Sequence, residues 1–400
     1  MPDDTRPATR KLAYETKLSH IGRPPKKGAK AQVNMPVIRA STVTFPDVAT
    51  LKAAREKRFD QWGSYGIHGL ATHHALEDIV AEIEGGDRCA IQGSGLAAIV
   101  VAMMAYLKAG DHCLVPDSVY GPCRNLCDTL LKGFGVETTY YDPLVDEAGM
   151  AALLRPNTKV VYTESPGSHS FEVQDVPGIA RAAHARGAKV LMDNTWGIRT
   201  FQPFMHGVDV SIQALTKYVV GHSDVLLGSV TVKAADWQAV KIAQGTLGQF
   251  ASPDDCWLAL RGVRTMAVRM KRQEQSAMEV ARWLESRPEV LHVLHPALPS
   301  HPQHALWKRD FTGACSLFGV VFHKRYSMAQ VDTLIDNLAL FGIGASWGGF
   351  ESLALPTTGN ITRTATSDDL GGPTMRLHIG LEEPADLIAD LEGAMAALAG

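Results

Sequence analysis

Lys217 stands in Ser211-Ile212-Gln213-Ala214-Leu215-Thr216-Lys217-Tyr218-Val219-Val220, a strongly apolar stretch. A charged amine there is costly unless it is paired, neutralised or bonded to something. Twenty-four residues earlier the apolar run Val190-Leu191-Met192 ends in an acid, Asp193. Each residue has an ordinary use: the acid can cap the turn at Asn194-Thr195, and the lysine can snorkel out of an apolar surface. Two such groups at the ends of consecutive strands of a parallel sheet, however, point to one site, because such sheets bind ligands beyond their carboxyl ends. An amine and a carboxylate so placed suit pyridoxal 5'-phosphate (PLP), whose aldehyde takes a lysine and whose pyridine nitrogen takes a carboxylate.

Three further features bear on this reading. Gln92-Gly93-Ser94-Gly95-Leu96-Ala97-Ala98 follows a strand-like run and opens a helical one, which places backbone N–H groups where an anion can bind. The same residues fit the dinucleotide pattern G-x-G-x-x-A, with Asp117 at a suitable distance, so a nicotinamide (NAD) oxidoreductase is a rival. That rival gives Lys217 no role, and a monophosphate is favoured here. Tyr120, past another strand end, can stack on a ring or pack a loop. Arg376, inside Met375-Arg376-Leu377-His378-Ile379, has the fork geometry for a carboxylate, either a substrate's or an internal acid's.

These residues need a scaffold, and the pattern supplies an α/β one. Strand-like runs at His112–Val115, Val136–Tyr141, Val160–Thr163, Val190–Met192 and Val208–Ile212 alternate with helical spacing at Ala75–Ile83, Cys123–Lys132, Ala148–Leu154 and Val176–Arg186. Such alternation implies a mainly parallel sheet covered on both faces. From residue 256 the pattern changes: a long helix Cys256–Leu284 with a break near Gly262, strands near Leu317–His323 and Met375–Ile379, and helices Met328–Leu340 and Pro384–Leu398. The expected division is an arm over residues 1–60, a cofactor domain over 61–255 and a smaller α/β domain over 256–400, since 400 residues exceed one core.

Composition narrows the function classes. A net charge of −3 offers nothing to nucleic acid, and the longest apolar run, Leu96–Leu107, is too short for a bilayer. The six cysteines and fifteen histidines are dispersed, which favours reduced thiols in a cytoplasmic enzyme and no metal site. His73-His74 is read as structural.

With these segments in view, the chain resembles the Cys/Met-metabolism family of PLP enzymes, and within it the β-lyase branch. The likeness runs from about Lys17 and rests on Glu164-Ser165-Pro166-Gly167-Ser168, Asp193-Asn194-Thr195-Trp196 and Thr216-Lys217-Tyr218 with Gly221-His222-Ser223-Asp224. It continues through His295-Pro296-Ala297-Leu298-Pro299, Trp307-Lys308-Arg309-Asp310-Phe311-Thr312-Gly313, Ser346-Trp347-Gly348-Gly349 and Arg376-Leu377-His378-Ile379-Gly380. The resemblance implies the aspartate aminotransferase-like (type I) PLP-dependent transferase fold, with a large, mainly parallel seven-stranded sheet and a smaller C-terminal α/β domain. It implies that Lys217 holds PLP covalently and moves protons, that Asp193 pairs with the pyridine nitrogen, and that Tyr120 stacks on the ring. The amides of Gly95 and Leu96 and the Thr216 hydroxyl would bind the phosphate. Tyr65, in Tyr65-Gly66-Ile67-His68-Gly69, would reach a neighbouring subunit's phosphate within a homotetramer built from two catalytic dimers. Arg376, with Ser346 and Trp347, would hold the substrate carboxylate.

The implied reaction is α,β-elimination from an amino-acid thioether such as cystathionine, yielding a thiol such as homocysteine, pyruvate and ammonia, a step of methionine metabolism. A γ-lyase or γ-synthase/sulfhydrylase of the same family stays open. Three departures matter. Ile67 replaces the family's usual arginine, which implies a weaker hold on the phosphate. Gly167-Ser168 follows the proline turn, as in β-lyases, where γ-enzymes commonly carry asparagine. Ala345 replaces the tyrosine of many β-lyases, leaving the distal substrate wall open.

Overall fold

The computed structural model describes residues 12–24 and 32–399. Two short helices, α1 (Tyr14–His20) and α2 (Val48–Glu56), come from the N-terminal arm. The alternating region then gives α3 (Ala71–Glu84), β1 (Arg88–Gln92), α4 (Gly95–Met104), β2 (His112–Pro116), α5 (Gly121–Leu126) and β3 (Glu137–Tyr141). It continues through α6 (Glu147–Leu153), β4 (Thr158–Glu164), α7 (Val176–His184), β5 (Lys189–Asp193), β6 (Val210–Gln213), β7 (Gly228–Val232) and α8 (Trp237–Thr246). Helices α9 (Pro253–Val263) and α10 (Met266–Glu285) lead to β8 (Val290–Leu294), α11 (His304–Asp310), β9 (Leu317–Phe322), α12 (Met328–Asp336), β10 (Gly342–Ile343), β11 (Leu353–Pro356), β12 (Thr374–His378) and α13 (Pro384–Met395).

The first sheet has seven strands in the order β1-β7-β6-β5-β4-β2-β3, with only β7 antiparallel to its neighbours. The five strand runs read from the sequence between residues 112 and 212 all lie in it. β7 was not among them, because its Ser229 and Thr231 alternate with valines like a solvated edge. In the fold both are fully buried, since helices cover both faces. One face packs Ile99, Met103, Val115, Leu126, Val210 and Val230 under α4 and α5. The other packs Leu76, Ile79, Ile179, Val190 and Ala259 under α3, α7 and α9.

The second sheet has five strands in the order β10-β11-β12-β9-β8, and its core (Val280, Phe318, Leu334, Leu377, Leu391) lies against α10, α12 and α13. The expected long helix breaks after Val263, so α9 and α10 are separate. Cys256, Ala259, Leu260 and Val263 of α9 belong to the first core, so the division expected at residue 255 falls inside a helix that sides with the first sheet. The helix expected over Cys123–Lys132 widens instead: α5 passes into one π-helical turn at Cys127–Leu131.

Asp117 ties the two sheets together. It follows β2, and its carboxylate accepts from the amides of Thr364, Ala365 and Thr366, in the loop between β11 and β12, at 2.8–3.0 Å. It also accepts from the buried Arg124 guanidinium at 2.6 Å. Burial alone would raise this carboxyl, but Arg124 and the three amides outweigh it and hold it at about 2. The folded value lies below the unfolded one of about 4, so this contribution is complete above about pH 4 and is lost as pH falls toward 2. Replacing Asp117 with alanine strands a buried guanidinium and three amides. Urea unfolding of Asp117→Ala is expected to show a loss of about 3–5 kcal/mol. A loss under about 1 kcal/mol contradicts the clamp.

Candidate active site

Beyond the carboxyl ends of β4, β5 and β6 lies a cavity of about 380 Å³, closed on its far side by the segment around Ser346 and by Arg376 of β12. Gly95, Leu96, Tyr120, Asp193, Thr216 and Lys217 all face it, as do Ser346, Trp347 and Arg376. Tyr65 does not: it is half exposed, in extended backbone just before a single 3-10 turn at Gly66–His68.

Asp193 is the last residue of β5, and the parallel register sets it beside Ile212 of β6. Its Oδ1 accepts from the Thr195 amide at 3.0 Å, so the turn-capping use holds together with the cavity-facing one. Burial raises its carboxyl, opposed by Thr195 and by the charge of Lys217. Lys217, just past β6, donates to the Ser346 hydroxyl at 2.7 Å and sits 5.5 Å from the Trp347 ring centroid. Burial and the repelling charge of Arg376 lower its amine to about 8, with Asp193 pulling the other way. Arg376 donates to the Ser346 carbonyl at 3.0 Å, and burial lowers its guanidinium to about 10. One residue, Ser346, thus meets both cations, through its hydroxyl and its carbonyl, and it does so in left-handed backbone at φ 79°. A non-glycine residue held there is costly, which places backbone strain at the site.

The loop carrying Lys217 is braced from behind. Arg269 of α10 donates to the Tyr218 carbonyl at 2.8 Å and the Gly262 carbonyl at 3.0 Å. The Tyr218 hydroxyl meets Ser316, which meets His378, whose ring takes the Gly348 amide at 3.2 Å.

The start of α4 provides the anion position. Ser94 caps it by accepting the Ala97 amide at 3.1 Å, and the amides of Gly95 and Leu96 have no partner within the helix. A Cβ on Gly95 would lie 2.7 Å from the Ala214 Cβ, so only glycine brings this helix start against the Lys217 loop. Thr216 lines the cavity, but its hydroxyl donates to the Leu227 carbonyl at 3.1 Å and accepts the Leu227 amide at 2.9 Å. Its hydrogen therefore fastens the loop toward β7, and a phosphate would have to draw it away.

An amine of lowered basicity, an acid one strand away, a helix start and a tyrosine around 380 Å³ match PLP in size and chemistry. The dinucleotide reading fails on two counts. β1 lies at the sheet edge, antiparallel to β7, rather than in a central parallel position, and Asp117 is consumed by Arg124 and the 364–366 loop.

Two lining residues have no role assigned from the sequence. Glu164 ends β4 and accepts the Tyr120 amide at 2.8 Å. An acid closing a buried strand is the signal that marked Asp193, and it applies to Glu164 equally. His169 has φ 64°, and its Nδ1 is buried without a partner; burial, then Arg376, lowers the ring to about 4. Gly167 has a packing reason: a Cβ there would come within 2.5 Å of the Ser118 side chain. Among the described residues no group of side chains is arranged to hold a metal ion, and all six cysteines are free and buried.

In the cofactor-free chain, the Lys217 amine is protonated below and neutral above about pH 8. Its modification by a small amine-directed reagent, followed by mass mapping, is expected to rise through that pH, well before ordinary lysines near 10.4. A rise centred near 10 contradicts the electrostatics described.

The model of the Cys/Met metabolism PLP-dependent enzyme family matches residues 15–396. A candidate cystathionine β-lyase of Rhizobium johnstonii is 47% identical over 386 residues, 96% of either chain. The cystathionine β-lyase of Bordetella avium is 43% identical over 95% of this chain and 97% of its own. An L-alanine/L-glutamate racemase of Wolbachia pipientis is 38% identical over 92% and 94%. The crystal structure of metB from Corynebacterium glutamicum superposes with a TM-score of 0.88 at 30% identity, covering 97% of this chain and 99% of that one.

Proposed function

We propose a carbon–sulfur β-lyase, on the premise that the chain belongs to the Cys/Met metabolism PLP-dependent enzyme family. The substrate is L-cystathionine, with related S-substituted cysteines, and α,β-elimination with water gives a thiol such as homocysteine, pyruvate and ammonia. The observation that carries the reading is the placement of Lys217, Asp193 and Arg376 around one cavity, with Ser346 bonded to both cations.

PLP, when bound, supplies an electron sink for the pair left on the substrate α-carbon. The chain does the rest. Arg376, with Ser346 and Trp347, grips the substrate carboxylate and so orients the α-hydrogen. The Lys217 amine, its basicity lowered to about 8, would take that proton as a general base in its neutral form. Asp193 would balance positive charge at the ring nitrogen, and Tyr120, on the cavity wall, would cover the ring. The Gly95 and Leu96 amides would hold the phosphate, with Thr216 contributing if its hydroxyl turns from Leu227. In a homotetramer of two catalytic dimers, the half-exposed Tyr65 serves a neighbouring subunit's phosphate. Among the described residues no helix is long and apolar enough to cross a membrane, and the free thiols fit a cytoplasmic setting.

The Gly167-Ser168 turn resembles that of β-lyases and favours β- over γ-elimination, which needs a second proton taken from the β-carbon. Racemisation is the second reading, favoured by the Wolbachia relative: an amine that removes an α-proton can also return one. Product analysis separates the three. Cystathionine is expected to give pyruvate, with little 2-oxobutyrate, and L-alanine little D-alanine. Dominant 2-oxobutyrate or faster racemisation than elimination overturns the assignment.

A further inference from the structure

Glu164 faces the same cavity beside Asp193 but has no part in the machinery above. We infer that Glu164 works as an uncharged acid: it shares one negative charge with Asp193, which Asp193 carries, and it positions Tyr120. The inference rests on the reading that Asp193 serves the cofactor.

Glu164 and Asp193 are paired residues on adjacent parallel strands, so their side chains leave the same face of the sheet as direct neighbours. Both face the cavity, and Glu164 is only 8% exposed. Two carboxylates so close in a cavity shielded from bulk water cannot both ionise readily. The surroundings decide which one does. Asp193 has the Thr195 amide and the attraction of Lys217. Glu164 has the Tyr120 amide on one oxygen and, among the described residues, no cation in a salt bridge with it; burial and then the Asp193 charge push its carboxyl well up. The other titratable groups around it do not reverse the order. Tyr162 on its own strand and Tyr120 beyond β2 are themselves raised by burial, His169 in the following turn is neutral, and Lys217 and Arg376 are both bonded to Ser346.

A neutral Glu164 has separate uses for its two oxygens. One accepts the Tyr120 amide and fixes where that ring lies, and the other keeps a hydrogen to donate. Its backbone is locked for the purpose, since the Glu164 amide donates to the Gln174 side chain at 2.9 Å, which in turn donates to the Tyr141 hydroxyl at 3.1 Å. Ionising Glu164 would set a second negative charge beside the acid that faces the ring nitrogen and would weaken the pairing there. Glutamine copies the neutral acid, with one acceptor and one donor in the same shape. Alanine removes the support under Tyr120.

The test uses the holoenzyme and its Glu164→Gln and Glu164→Ala forms. In the infrared difference spectrum of wild type minus Glu164→Gln at neutral pH, a protonated carboxylic acid band is expected to be lost. The other buried acids, Glu84 and Glu77, are present in both proteins and cancel. This reading needs no substrate, so it stands or falls separately from the product assay. In turnover, Glu164→Gln is expected to stay within about 3-fold of wild type at neutral pH. Glu164→Ala is expected to lose on the order of 10–100-fold in kcat with PLP still bound, the scale for a misplaced active-site group. Loss of carboxylate bands in place of the acid band overturns the inference, as does a Glu164→Gln form as impaired as Glu164→Ala.

Discussion

The structure depends on one constraint: two cations, Lys217 and Arg376, and two acids, Asp193 and Glu164, must coexist in a cavity withdrawn from water. Each alone would be costly to bury. Burial and then Arg376 lower the Lys217 amine while Asp193 opposes them, and burial and then Asp193 raise the Glu164 carboxyl. An amine that is half neutral near pH 8 serves both for joining an aldehyde and for taking a proton. The balance makes the cavity chemically specific, because loss of any one charge alters the protonation of the others.

The fold exists to hold that balance in place. Parallel pairing of β4, β5 and β6 delivers both acids and the lysine loop to one end of the sheet. The second sheet contributes Arg376, and the Asp117 clamp fixes its loop to the first sheet close to Tyr120. Arg269 and the Tyr218–Ser316–His378 chain stiffen the loop from behind. Ser346 bears the strain of bridging, in left-handed backbone between the two cations.

Much of this was legible in the sequence, because an isolated charge in an apolar run is a strong signal. Lys217, Asp193 and Arg376 stood out that way, and the cavity unites them. The alternation of strands and helices was plain where strands are valine-rich and buried. β7 was not plain, because its Ser229 and Thr231 are fully buried in the core. β11 ends in Pro356, a residue that argues against a strand, and β8 shows a mixed burial pattern with a register shift. The work of Glu164 and Asp117 depends on tertiary neighbours more than 40 residues away, Tyr120 and the 364–366 loop, which no local pattern encodes. Thr216 shows the limit in the other direction: its type suits a phosphate, yet its hydroxyl is spent on Leu227.

The central claim is that the Lys217 amine forms the covalent link to PLP in this cavity. Borohydride reduction of the holoenzyme followed by peptide mass mapping tests it most directly. The account predicts one pyridoxyl adduct, on the peptide carrying Lys217, and none in a Lys217→Ala form. An adduct on another lysine, or an unmodified Lys217 in fully loaded enzyme, would contradict it.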